Sequence, residues 1–430
     1  MKLKYLSAFC ALAAASGVLP AAAETCPRNS ASATIYLSSD EAVQRALAAD
    51  LRPAAARAGV ATARSERAIA ALPPADTITI DYENFPGLGL GSEIDNLEVT
   101  ATFNRVWERG GKRNARIALA ETSVILAEAE IAISVADVAH EVQTLYVELA
   151  ITLERLALAE DRLEAAQAAE RVIGHRVAAA RDPLLAGARA RADALTAESE
   201  AMRLAALADE LKAALWDHFA TPPDDQVFEV DLCGLSAKSS HAPHTLDASQ
   251  SPELARLSAA RRQADTALRL AEAERVADIT WSAGTRKMGI DESLAVIGGV
   301  SIPLGAASRA APLEQKAASV RRQTEAQADA FRQNLLRESA RLERAALNAL
   351  EAVKGLEGGA IPEAERSVEL ANDGYARGAF SYLDVLDAQR LLFDLRDKRL
   401  DLIRTYHLSE AALARLHAAN LPASLQESSR

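Results

Sequence analysis

Cysteine, methionine and tryptophan are nearly absent from these 430 residues, with three of each. Two cysteines at most, Cys26 and Cys233, lie outside the N-terminal apolar run that holds Cys10, which excludes a disulfide framework as the basis of the fold. Aromatic residues make up only 4%, so a large globular core is a poor fit. The alanine-rich remainder, with 25% charged residues, suits long helices packed closely together. Beyond the N-terminus no stretch reaches the roughly 18 uninterrupted apolar residues of a membrane-spanning helix, so any crossing of a bilayer must be made by strands. Basic residues are outnumbered, 48 Lys+Arg against 60 Asp+Glu, which argues against nucleic acid as a partner. Gly-x-Ser-x-Gly, a phosphate-binding glycine loop, Cys-x-x-Cys and His-Glu-x-x-His are all missing, so neither an enzyme nor a cofactor is expected.

Met1 to Ala23 reads as a secretory signal: Lys2 and Lys4, an apolar run from Leu6 to Leu19, then Pro20 and three alanines. Its removal takes the net charge from −12 to −14. In the oxidising compartment this implies, Cys26 and Cys233 are a candidate disulfide, with two free thiols as the alternative. Acylation of Cys26 is disfavoured, because Ala23-Glu24-Thr25 lacks the small uncharged residues such a signal needs.

Leu37 to Leu72 reads as a helix opened by Ser38, Ser39 and Asp40, interrupted at Pro53 and ended by Pro73-Pro74. Thr77 to Phe85 then alternates, as does Leu97 to Trp107, with Pro86, Gly87, Gly89 and Gly91 in the loop between them. This predicts a β-hairpin whose strands are near the length of tilted barrel strands, with Tyr82, Phe85 and Trp107 toward their ends. Arg109 to Arg181 has no proline, and at 1.5 Å per residue some 70 helical residues would reach on the order of 100 Å, the length of a coiled-coil arm. Arg181-Asp182-Pro183 reverses it, and a return helix runs to Phe219.

The order then repeats: helix Pro252 to Arg275, strand Asp278 to Lys287, strand Leu294 to Leu304, and a long helix from Ala306 to Leu356. A shift of 198 places Val177 on Tyr375, Ala180 on Gly378 and Pro183 on Ser381, and a shift of 202 places Ala75-Asp76 on Ala277-Asp278. The expected division is a signal at 1–23, a first repeat at 24–221, a connector at 222–251, a second repeat at 252–418 and a tail at 419–430. Residues 361–399 read as a second hairpin tip, its arms zipped by Ala364, Val368 and Ala371 against Leu383, Leu386, Leu391 and Leu395.

In that tip, Gly374, Tyr375, Gly378 and the run Leu383-Asp384-Val385-Leu386-Asp387-Ala388 resemble the periplasmic tip of the TolC family of outer-membrane efflux ducts. Gly110-Gly111-Lys112-Arg113 resembles the strand-to-helix junction of that family's CzcC-like, heavy-metal branch. The resemblance implies an α+β membrane protein in which each chain gives four strands to a trimeric twelve-strand β-barrel, continued by a long α-helical coiled-coil tunnel in the periplasm. It implies a homotrimer in outer-membrane lipid, working with a periplasmic adaptor and a proton-driven inner-membrane pump as a passive duct for heavy-metal cations. Drugs or secreted proteins are the alternative cargo. A periplasmic adaptor or structural coiled coil is the alternative of another class.

By the same resemblance Tyr375, Asp384 and Asp387 form the periplasmic gate, and Ala179, Ala180, Arg181, Arg377, Gly378 and Ala379 are the adaptor-docking residues. Asp384 and Asp387 align with Ala186 and Arg189, so the first tip reads as structural and the gate charge belongs to the second. Phe380 stands where better-known members carry a basic residue. His241 and His244 are candidate metal ligands, too few for a closed site, and no metal centre is expected.

Overall fold

A computed structural model of the chain describes residues 35–84, 97–220, 228–230, 251–288 and 293–417. The signal, Cys26, Cys233, His241, His244 and the tail 419–430 lie outside the described residues, as do Phe85 and nearly all of the connector.

The chain runs β1 (Ile35–Leu37), α1 (Ser39–Ala49), α2 (Leu51–Ala70), β2 (Thr77–Glu83), β3 (Glu98–Trp107), α3 (Lys112–Ala178), α4 (Leu184–Trp216) and β4 (Phe228–Val230). It then repeats much of that order with α5 (Pro252–Ala273), β5 (Ile279–Lys287), β6 (Leu294–Ser301), α6 (Ala306–Gly355), a π-helical turn (Leu356–Ala360), α7 (Ile361–Ala376) and α8 (Tyr382–His417).

Ser38 caps α1, its hydroxyl accepting from the Glu41 N–H at 3.2 Å. The expected break at Pro53 falls three residues earlier. Asp50 is extended and caps α2 by accepting from the Arg52 N–H at 2.7 Å, so Pro53 sits in the first turn, where a missing N–H costs nothing. α3 spans 67 residues and buries alanine, valine and tyrosine against its neighbours. The small side chains let helix axes approach closely. Its middle forms the main core with α1, the end of α4 and α8, where the buried Tyr146 hydroxyl donates to the Leu37 carbonyl at 2.9 Å. That bond holds β1, which pairs in parallel with β4, a contact between the N-terminal segment and the connector that local pattern did not announce.

β2, β3, β5 and β6 form one antiparallel sheet in that order. Its register puts Thr79 opposite Thr102, Thr102 opposite Gly284, and Asn104 opposite Ser282. Thr77, Thr79, Asp81, Thr100, Thr102, Thr280 and Ser282 therefore share one polar face. Ile78, Ile80, Val99, Phe103, Trp281 and Val296 share the other. The apolar face is uncovered in the chain, with Ile78 74% and Val296 85% exposed. β2 and β6 are edges with no further strand beside them among the described residues. No described helix is long and apolar enough to cross a membrane.

Candidate functional site

The two helical hairpins end in the same turn. At the first, the Ala179, Ala180 and Arg181 N–H groups donate to the carbonyls of His175, Val177 and Arg176. At the second, Arg377, Gly378 and Ala379 donate to Asp373, Tyr375 and Gly374, each pair displaced by 198 residues. The left-handed residue is Ala180 in one, with φ 54°, and Gly378 in the other, with φ 76°. Ala179, Ala180, Arg181, Arg377, Gly378 and Ala379 are all exposed at this end of the molecule.

Beneath the turns the tips share a small core. Ile173 and Ala190 from the first hairpin pack with Ala371, Tyr382, Val385, Leu386 and Ala388 from the second. The inward face of α8 is therefore set by Tyr382, Val385, Leu386 and Ala388. Leu383 and Leu391, expected in the zipper, are 45% and 51% exposed. The reason is the starting phase of α8: Tyr382, its first residue, is buried, which turns position 383 outward.

Polar contacts then join the hairpins. The Tyr375 hydroxyl donates to Asp182 Oδ2 at 3.1 Å, and Arg176 Nε donates to the same oxygen at 2.8 Å. The Arg176 guanidinium also lies 4.9 Å from the centre of the Tyr375 ring, within cation–π reach. The hydrogen bonds from Arg176, then that from Tyr375, hold the Asp182 carboxyl below the usual carboxylate range. Burial, then the bond to Asp182, pushes the Tyr375 phenol up. Tyr382, 6.2 Å from Tyr375 ring to ring, is pushed up to about 12 by burial.

The first tip thus takes part in the polar contacts between the hairpins. It supplies Asp182, the acceptor of the link, and Arg176, which holds that acceptor in place. Alignment of the repeats obscured this, because Asp182 and Arg176 fall on Phe380 and Gly374 and have no charged counterpart in the second tip.

Phe380 has a different task. Its ring rests on Gly374, where an added Cβ would lie 2.1 Å from a ring carbon, so the glycine is a seat for the phenyl group. The acidic pair splits in role. Asp384 accepts from both the backbone N–H and the hydroxyl of Ser381, each at 2.8 Å, which caps α8 and lowers its carboxyl pKa. Asp387 is exposed one turn on. The signal for the cap was present as Ser381 followed three residues later by an acid.

At the opposite end of the helices, Gly110-Gly111-Lys112-Arg113 joins the two repeats. Asp278 accepts from the Arg109 N–H at 3.0 Å and from Lys112 Nζ at 2.9 Å, and Glu274 lies 3.3 Å from the same ammonium. Gly110, with φ 70°, packs so closely on the α5–β5 corner that a Cβ would fall 2.7 Å from Val276 Cβ. Gly110 and Lys112 of the tetrapeptide are thus accounted for by the junction between sheet and helices. Among the described residues no cluster of three or more His, Cys, Asp or Glu could hold a metal ion.

Residues 247–419 match the family model described as outer membrane efflux protein. No curated protein matches the sequence. Solved structures match nearly the whole length. The outer membrane protein VceC from Vibrio cholerae is 19% identical, with 88% of this chain and 96% of that one covered and a TM-score of 0.70. CusC, solved in a study of folding and transmembrane channel formation, is 18% identical over 89% and 92% of the two chains, with a TM-score of 0.70. The CmeC outer membrane channel of Campylobacter jejuni is 12% identical over 91% and 89%, with a TM-score of 0.72. The chain as a whole has the fold of these outer-membrane channels, and its second half carries the sequence pattern of the outer membrane efflux protein family.

Proposed function

We propose that this chain is the outer-membrane channel subunit of a tripartite efflux system, a passive duct with its helical hairpins in the periplasm. One observation carries the reading: an open four-stranded sheet with an exposed apolar face, a polar face and, among the described residues, two unpaired edges, joined to helices that reach on the order of 100 Å. Unpaired edges in lipid would cost several kcal/mol per unsatisfied group, so neighbouring copies must close them. Three copies give twelve strands with room for a lumen lined by the threonine-rich face, whereas two give eight, a number whose interior side chains can fill.

The tips would face the periplasmic adaptor, with Ala179, Ala180, Arg181, Arg377, Gly378 and Ala379 as its contacts and the energy supplied by a proton-driven inner-membrane pump. In the resting state the Tyr375–Asp182 bond would hold each chain's two tips together. Asp384 and Asp387 would place six carboxylates around the trimer's entrance, which favours cations. Heavy-metal cations are the proposed cargo on the CzcC-like resemblance, and drugs or secreted proteins remain the alternative. Because Lys112 is occupied at the sheet–helix junction, Lys112→Met should lower stability without changing which compounds are exported.

Membrane fractionation tests the reading. The chain should be recovered with the outer membrane, and recovery in the soluble periplasm would sink it. For the cargo, deletion of the gene followed by a survey of metals and drugs should show sensitivity to metal ions first. Sensitivity confined to organic compounds would assign the duct to drugs.

A further inference from the structure

The descending arms of the two hairpins differ in length. From left-handed Gly111 to left-handed Ala180 is a step of 69 residues, and from Gly305 to Gly378 a step of 73, so the second arm carries four more. Four residues inserted into a coiled coil locally unwind it. α3 runs unbroken, but the second arm changes to a π-helical turn at Leu356–Ala360, where the Ile361 N–H donates five residues back to the Leu356 carbonyl.

Three glycines cluster there, Gly355, Gly358 and Gly359, and an added Cβ at any of them would meet nothing within 4 Å. Packing within the chain does not require them, and all three destabilise a helix relative to alanine. No residue of the turn is buried, whereas Leu350 and Val353 before it and Ala364 after it are. Two ion pairs tie the region to α8, Arg399–Glu357 at 2.5 Å and Arg396–Glu365 at 2.7 Å.

We propose that residues 355–360 are the pivot at which the second descending arm bends when the duct opens, so that α7 below it moves and the arm above it stays in place. This rests on the duct reading and adds where the motion is confined. The extra turn, the glycines and the unpacked surface lower the resistance to bending at one point, and the Arg–Glu pairs keep the swinging leaf paired with α8.

The experiment uses the full chain with Cys26→Ser and Cys233→Ser, spin-labelled at Ala376→Cys below the pivot or at Ala352→Cys above it. Distances between subunits are measured with the tip link intact and after Asp182→Asn. The Ala376 distances should widen by roughly 5 Å and the Ala352 distances should not move. Equal widening at both positions, or at neither, would overturn the pivot.

Replacing Gly355, Gly358 and Gly359 by alanine in the Asp182→Asn protein should lower bilayer conductance about threefold, because an ordinary helix resists the bend. Unchanged conductance would count against the pivot. If the alanines instead prevent assembly, the spin-label distances decide. Absence of any channel in the unaltered protein would refute the duct itself, an outcome distinct from a working channel whose second arm moves as one body.

Discussion

The hydroxyl of Tyr375 donates to the carboxylate of Asp182 across 3.1 Å, joining the tips of two hairpins that lie 193 residues apart in the chain. With Arg176 behind the carboxylate, this is the direct polar tie between the two turns. The shared apolar core around Tyr382 and Leu386 lies just beneath it.

Removing the tie should open the tip. Tyr375→Phe keeps the ring over Arg176 and deletes only the donor, so the ratio of open to closed channels should rise about fivefold, the factor a typical hydrogen bond commands. Asp182→Asn should do at least as much, since it also releases Arg176. Single-channel recordings measure both, and a closed fraction unchanged in both variants would show that the bond does not hold the tip.

The tie should also be indifferent to moderate pH. The Asp182 pKa is lowered in the fold, so its contribution is present above the ordinary carboxylate pKa of about 4 and is lost only as the pH falls through the lower folded value. The Tyr375 pKa is raised, so the phenol keeps its proton below the ordinary value of about 10 and loses it only above that. Open probability should be flat from about pH 5 to 9. A transition inside that window would show that the tie between Tyr375 and Asp182 does not set the opening.

The two turns differ in strain. Ala180 holds a left-handed backbone that its counterpart Gly378 adopts freely, so Ala180→Gly should stabilise the first tip by up to about 1 kcal/mol. Gly374→Ala should destabilise the second by about 1–3 kcal/mol, because its Cβ would displace the Phe380 ring. Limited trypsin digestion reads both: cleavage after Arg181 should slow in the first variant, and cleavage after Arg377 should quicken in the second.

The two faces of the sheet should tolerate charge differently. Val296→Lys on the exposed apolar face should cost about 2–4 kcal/mol of insertion into lipid if it lies near the bilayer midplane. Thr102→Lys, on the polar face, should insert nearly as well as the unaltered chain. Folding into vesicles, followed by the mobility shift of the folded barrel, distinguishes them, and equal loss in both would contradict the assignment of faces.

Much of this is legible in the sequence. Strict alternation in Thr77–Glu83 and Glu98–Trp107 marks strands, because side chains of opposite character must point to opposite faces. The lack of proline from Arg109 to Arg181 allows one long helix. The π-helical turn was less visible, although Gly355, Gly358 and Gly359 were its signal, since glycines in a helical run do not say whether the helix kinks, bulges or continues. Burial of α8 was misassigned because leucine spacing alone does not fix the phase of a helix whose first residue, Tyr382, is itself in the core. The link from Asp182 to Tyr375 was out of reach for a physical reason: it joins distant segments whose repeat counterparts carry different chemistry, so neither local pattern nor internal alignment brings them together.

The most direct measurement of the central claim is the current across a planar lipid bilayer after addition of the purified full-length chain. A duct built from this sheet and these hairpins should give discrete, long-lived conductance steps, small at rest and enlarged in Tyr375→Phe. Folded, helical protein that binds the bilayer yet passes no current in either form would contradict it.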